Sequence, residues 1–224
     1  MTATSTSPSR IGVGLYSVSD AARLLRVPAQ RVRRWMDPQE EIIQRTFPPE
    51  EGIITFLELM ELHFIQMFRQ ENVSLLTIRR AAKTAARKYE QPYPFTLHRF
   101  DTDGQTIFAT LSQSERRRRM VEDLEHGQFV FEKICRPFFR KLDYQQDDPE
   151  DNPIRFWPLN KNGRVVLDPQ RRFGRPIDAP TGVPTQALYL AVKAREDQST
   201  VATWFNVPSA AVAAAFKFEE SLAA

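Results

Sequence analysis

The chain has one cysteine in 224 residues, which excludes an internal disulfide framework. Cys135 also has no histidine near it in sequence, so neither a zinc knuckle nor a Cys–His nucleophile is signalled, and a small buried hydrophobe is the role left to it. Histidine is equally scarce: His63, His98 and His126 are scattered. With no Ser-His-Asp, metal-ligand or phosphate-loop spacing, the residues argue against an enzyme and call for no cofactor or metal. No apolar run approaches the roughly 18 to 20 residues needed to cross a bilayer. The opening MTATSTSPSR lacks the apolar centre of a secretory signal, and a cytoplasmic protein is expected. One further absence is local. From Arg23 through Arg34 there is no acid and there are five arginines, a field far more positive than the formal net charge of +3 suggests.

What is present can bury a real core, since 42% of the residues are hydrophobic, and a chain of this length ordinarily makes one or two domains with linkers. Residues 1–12, small and hydroxylic, are expected to be a disordered tail. The stretch Tyr16 to Trp35, YSVSDAARLLRVPAQRVRRW, reads as two short helices joined by a tight turn. Ser17 and Asp20 stand in capping-box spacing, and Ala21, Leu24 and Leu25 form an apolar stripe. Arg26 falls near the end of this first helix. A second begins near Pro28, whose missing N–H costs nothing in a first turn. Val32 and Trp35 can face the first helix, leaving Gln30, Arg31, Arg33 and Arg34 around the remaining surface. Such helix pairs also occur as plain core. The charge bias is what favours a DNA reader, in which arginine pairs with guanine O6 and N7, glutamine with adenine N6 and N7, and other arginines hold phosphates.

After the Asp37–Pro38 connector come Glu41 to Arg45, then Phe47, Pro48, Pro49, a polar tip at Glu50 to Gly52, and Ile53 to Thr55, the pattern of a two-stranded wing. This arrangement resembles the MerR-like winged helix-turn-helix group, with Arg45 the natural phosphate contact on a wing that its four glutamates make less basic than usual. A hairpin that only braces the helices is the alternative. The DNA-contacting set is then Ser17, Arg23, Gln30, Arg31, Arg33, Arg34 and Arg45. From Thr55 the apolar period becomes helical, with Phe56, Leu57, Met60, Phe64, Met67 and Phe68 on a core or partner face, and a second helix carries Leu75, Ile78, Ala82, Ala85 and Ala86 up to Pro92. His63 within these helices is expected to be a satisfied or exposed side chain.

The middle of the chain reads as β structure. Phe95–Phe100 and Thr106–Thr110 flank Asp103–Gly104, a hairpin dipeptide, and Phe129–Phe131 and Arg164–Leu167 are further strand candidates, the last entered through Asn162–Gly163. Arg116 to Arg119 make a basic run with acids beside it, a solvated face more often than a contact. Asp147, Asp148, Glu150 and Asp151 have the look of a surface loop, without the glycine spacing of a calcium loop. In the last third, Gly182, Val183 and Pro184 precede a helix with Leu188, Ala191 and Val192; Ser199 to Phe205 makes a short helix; and Ser209 to Leu222 makes a last one. Three short helices resemble a homeodomain-like module. The last, SAAVAAAFKFEES, has almost nothing with which to read bases and suits close packing or dimerisation. The fold class expected is α+β, mainly α: a winged helix-turn-helix domain over 13–92, a β-containing segment over 93–170, and a three-helix module over 171–224.

Tyr16, Ser17, Ala21, Ala22, Leu24 and Trp35, the helix at Ser74, the block Arg155 to Leu159, Val166 to Asp168, Phe173 to Pro176, and Gly182, Pro184 and Thr185 together resemble the bacterial VapB-type antitoxins that join a MerR-like N-terminal domain to a C-terminal antitoxin-associated domain of unknown function. The resemblance runs from about Leu15 to Glu220. Two departures stand out: Asp197 and Gln198 precede Ser199 where members carry a glycine, and the arginine run at Arg116 looks added. What the resemblance implies is an antitoxin of a type II toxin-antitoxin pair that neutralises a PIN-like ribonuclease toxin and represses its own operon. An arginine inserted among the toxin's metal-binding carboxylates is the mode of inhibition that chemistry suggests, with Arg171, Arg172 and Arg175 the candidates beside an equally good surface or turn role. Operator binding calls for a homodimer on a palindromic duplex, through the Phe56–Phe68 helix or the alanine-rich terminal helix. A MerR-like transcription regulator answering to a small ligand is the rival reading.

Overall fold

The structure is a computed structural model that describes residues 12–40, 42–114, 129, 131–146, 150–194 and 197–223. Its centre is helix α3, Phe56–Gln70. A capping box starts it: Thr55 Oγ1 accepts from Glu58 N–H at 3.3 Å, and Glu58 Oε2 accepts from Thr55 N–H at 2.7 Å. Phe56, Leu59, Met60, Leu62, Phe64, Ile65 and Phe68 are all fully buried, and so are Glu58 and Glu61, so α3 is enclosed on nearly every side and lies inside the molecule. Phe64 alone meets the rings of Phe95, Phe100, Phe138 and Phe139, with centroids between 5.0 and 6.5 Å apart. Each phenylalanine so buried contributes on the order of 1.5–3 kcal/mol.

One of the two helices expected as dimer surfaces is therefore the core helix. A face already enclosed by its own chain is not available to a second copy.

Around α3 lie α1 (Val18–Leu25), α2 (Ala29–Trp35), α4 (Leu75–Tyr89) and α5 (His98–Ser114). Helix α5 replaces the expected hairpin. Phe100, Gly104, Ile107, Phe108 and Leu111 recur at helical spacing and turn to the core, which outweighs the turn preference of Asp103–Gly104. Gly104 is needed for contact rather than for a turn: a Cβ there would come within 2.3 Å of the Phe131 ring. Asp151, read as loop, folds back on the start of α5, its carboxylate accepting from Arg99 N–H at 2.8 Å. Of the strand expected at Phe129–Phe131, the two described residues, Phe129 and Phe131, are helical; Phe131–Cys135 is a π-helical turn leading into α6, Arg136–Phe139, and Cys135 is buried as expected. The arginines 116–119, Glu41, Asp147 and Asp148 lie outside the described residues.

The strands among the described residues form three small antiparallel pairs. β1 (Tyr16–Ser17) pairs with β2 (Ile53–Ile54), β3 (Leu142–Tyr144) with β4 (Pro153–Phe156), and β5 (Val165–Val166) with β6 (Ile177–Asp178). The first pair corrects the wing. Ile53–Ile54 runs beside the start of α1 instead of beside Gln44 and Arg45, so no separate two-stranded hairpin projects from the described residues here.

The C-terminal helices α7 (Thr185–Lys193), α8 (Gln198–Trp204) and α9 (Ser209–Ala223) enclose their own small core of Leu188, Val201, Ala202, Val207, Ala211, Val212 and Ala215. Asp197 caps α8, accepting from the N–H groups of Ser199 at 2.8 Å and Thr200 at 3.0 Å, which explains an aspartate at this turn. Phe218 leaves that small core and joins the main one. Ala211, Ala214 and Ala215 of α9 are thus packed within the chain, while Ala210 and Ala213 are exposed. The chain is mainly helical α+β, as the sequence led one to expect.

Candidate nucleic-acid interface

The α1–turn–α2 unit is built by its own sequence. Asp20 N–H donates to Ser17 Oγ at 3.0 Å and Ser17 N–H to Asp20 Oδ2 at 3.0 Å, which fixes the start of α1. The helix stops at Arg26, which takes a left-handed conformation (φ 54°), after which Val27 N–H reaches back to Ala22 O at 3.0 Å. Pro28 caps α2, its carbonyl accepting from Arg31 N–H at 2.8 Å. Ala21, Ala22, Leu24 and Leu25 of α1 and Val32 and Trp35 of α2 are buried, the inward set that the apolar stripe indicated.

The outward face of α2 carries Gln30, Arg31, Arg33 and Arg34, all exposed. Arg31 and Arg33 form no ion pair with any described residue. Arg34 has a loose one, Nε to Glu40 Oε1 at 3.4 Å, while Glu40 also binds Arg79. Four adjacent donors on one short helix, with one shared acid at the edge, can place guanidinium groups against phosphates and base edges.

Three other expected DNA contacts are engaged internally. Arg23 Nη1 donates to Glu219 Oε2 of α9 at 2.6 Å, with Glu219 almost wholly buried. Arg45, 12% exposed in its side chain, donates Nη2–H to Ile53 O at 2.7 Å and faces Glu58 at 3.5 Å. A guanidinium turned inward to neutralise a buried carboxylate is not free to meet a phosphate, and the wing contact assigned to Arg45 is withdrawn on that ground. Ser17 serves as a cap, its hydroxyl on Asp20 at 2.7 Å.

The Arg171–Pro176 segment closes over the other end of β1. Tyr16 Oη donates to Gly174 O at 2.6 Å, and Leu15 N–H to Phe173 O at 2.9 Å. Gly174 has φ +82°, and a Cβ on it would lie 2.3 Å from Tyr16 Oη, so this position needs glycine for both reasons. Burial pushes the Tyr16 phenol far up, with Asp20 and Asp168 adding to it. Arg171 donates to Ala179 O at 2.8 Å and belongs to the turn. Arg172 and Arg175 are exposed, and the Phe173 ring between them is 62% exposed.

The sequence carried no signal for the joint between the two ends. Thr185 Oγ1 donates to Glu219 Oε1 at 2.5 Å, and Arg26 Nη2 donates to Ser221 Oγ at 2.9 Å. Both connect α9 to residues remote in the chain. Nor was there a signal for the bidentate pair of Arg164 with buried Asp178, at 2.6 and 2.9 Å, or for Arg155 on Asp168 at 2.9 Å.

With this geometry in place, comparison with known proteins gives two findings. The chain is 27% identical over 195 residues to a Mycobacterium tuberculosis protein named "Putative antitoxin VapB45", a match covering 78% of this chain and 80% of the relative. It is similar in fold to the crystal structure of Rv2018 from Mycobacterium tuberculosis, with a TM-score of 0.73 and 19% identity, covering 92% of this chain and 99% of the other. No family model matches the chain. Among the described residues no helix is long and apolar enough to cross a membrane.

Proposed function

We propose that this protein is the antitoxin of a type II toxin-antitoxin pair, a non-enzymatic regulator that binds its operator through α2 and neutralises a ribonuclease toxin of PIN-like type. The observation that carries the DNA half is the exposed row Gln30, Arg31, Arg33 and Arg34, two of whose arginines form no ion pair with a described residue. The name of the Mycobacterium tuberculosis relative, aligned over most of both chains, supports the toxin-binding half. In this reading residues 13–92 form the helix-turn-helix domain, 171–224 the toxin-facing module, and 93–170 the connection. The toxin contacts reduce to Arg172 and Arg175 beside the exposed Phe173, since Arg171 is held by its turn. A homodimer on a palindromic site is retained, on a surface other than α3 or the packed alanines of α9.

Co-expression with the neighbouring open reading frame tests it. A complex that forms between the two chains, silences the partner's nuclease activity and retards the promoter duplex is the expected result. Failure to bind the partner removes the antitoxin role, and failure to retard the duplex removes the operator role.

A further inference from the structure

A cavity of about 350 Å³, partly open to solvent, lies where α1, α3 and α9 meet, bordered by β4 and the turn before β3. Its apolar wall includes Leu24, Phe138, Phe156 and Phe218. Its polar wall has an uneven character: Arg26, Lys141, His63 and Gln66 line it, and no carboxylate of a described residue does. Lys141 Nζ donates to Pro158 O at 3.1 Å and has no acidic partner among the described residues. Arg26 donates to the Ser221 hydroxyl and likewise has no acidic partner among the described residues. A partly buried ammonium without a counter-charge is costly, and an anion entering the cavity removes that cost.

Two further polar groups have no hydrogen bond to a described residue at an atom that could offer one. Gln66 is buried with its Oε1 unpaired, and its carboxamide can offer an acceptor or, turned over, a donor. His63 lies against the rings of Phe138 and Phe156, at 5.2 and 5.1 Å, and forms no hydrogen bond with any described residue. Burial, helped by the Lys141 charge, pushes its pKa down to about 3, so the imidazole is neutral and keeps one donor and one acceptor. A cavity of this size suits a ligand of one or two rings, with apolar walls for the rings and a few polar groups to orient them.

We propose that this cavity binds a small aromatic carboxylate, its ring against Phe138, Phe156 and Phe218, its carboxylate at Lys141, and its remaining polar group at Gln66 or His63. Such an occupant touches α1 and α9 together and reinforces the joint made by Arg23 and Glu219. The site does not depend on the antitoxin reading, because none of its residues belongs to the exposed face of α2 or to the Arg172–Arg175 segment.

The test is isothermal titration of the full chain with 2-hydroxybenzoate and with indole-3-carboxylate, each against its uncharged carboxamide. The expected result is saturable binding of at least one carboxylate at one per chain, with its carboxamide at least tenfold weaker. Lys141→Met, with an unchanged circular-dichroism spectrum, should weaken the carboxylate tenfold or more, and Leu222→Trp, which fills the cavity from the end of α9, should abolish binding. Amide exchange should slow at residues 24–26 and 218–222. Absence of saturable binding by both carboxylates, equal affinity for the carboxamides, undiminished binding by a folded Lys141→Met protein, or protection confined to another region would each overturn the site. Should Lys141→Met not fold, the carboxamide comparison and the exchange map decide on the wild-type chain.

Discussion

Arg23 and Glu219, 196 positions apart, form a 2.6 Å ion pair that fastens the first helix to the last. Glu219 is 4% exposed and also accepts from the Thr185 hydroxyl, whereas about a third of the Arg23 side chain is open to water. Removing the arginine leaves a buried carboxylate uncompensated, which is the costly way to break such a pair. Arg23→Ala should therefore lower stability by about 1–3 kcal/mol after allowance for screening on the arginine side. Arg23→Ala, Glu219→Gln should recover part of that loss, a coupling that denaturant unfolding of the single and double variants measures. Additive losses would mean that the pair contributes nothing.

The same pair separates two kinds of arginine that sequence alone treats alike. If α2 reads the operator, Arg31→Ala and Arg33→Ala should each weaken binding and reduce the salt dependence by about one phosphate's worth, a slope change near 1. Arg23→Ala and Arg45→Ala should leave the slope unchanged, because those guanidinium groups are turned to Glu219 and Glu58. Titrations of the promoter duplex at several salt concentrations check both. An equal drop in slope for Arg23 would return it to the interface.

Local chemistry was legible and long-range chemistry was not. The capping box at Ser17 and Asp20, the turn at Pro28, and the inward Val32 and Trp35 follow from neighbours within one or two turns, and the structure has them all. The three C-terminal helices were equally readable from their apolar period. Failures came where tertiary contact overrode a local preference: Asp103–Gly104 is helix because Phe100, Ile107 and Phe108 turn to the core at helical spacing, with Gly104 packed against Phe131, and Ile53–Ile54 paired with Tyr16–Ser17 rather than with a near neighbour. At the candidate site, the fates of Arg23 and Arg45 were set by carboxylates on other elements. Charge counting along the chain has no access to them.

Gly104 gives a direct test of that override. Alanine is the better helix former by about 1 kcal/mol, so at an open helix position Gly104→Ala would stabilise. Here the added methyl would stand 2.3 Å from Phe131 Cε2 in a close-packed aromatic core. The expected outcome is a net loss of about 1–3 kcal/mol, read from the urea midpoint. Phe131→Leu on the same background should return part of it.

Glu61 lies wholly inside the aromatic core, and desolvation raises its pKa to about 8 against the opposing hydrogen bonds from Thr96 and Phe95. The folded chain then holds a proton that the unfolded chain releases above its ordinary value of 4.5. Because the native state binds more protons, this group's contribution falls as pH rises from about 4.5 to about 8, and it is fully favourable only below that window. His63 acts in the opposite sense: with its pKa lowered to about 3, its contribution is present above 6.5 and is lost as pH falls toward 3. Between 6.5 and 8 Glu61 is therefore the one of the two still titrating. Glu61→Gln keeps an acceptor for Thr96 N–H, which bonds Glu61 Oε1 at 3.0 Å, and removes the ionisation. The variant should gain on the wild type as pH rises through that range, by on the order of 1 kcal/mol per unit at most. Parallel stability curves for the two proteins from pH 5 to 8.5 would show that Glu61 ionises in the folded chain as readily as in the unfolded one.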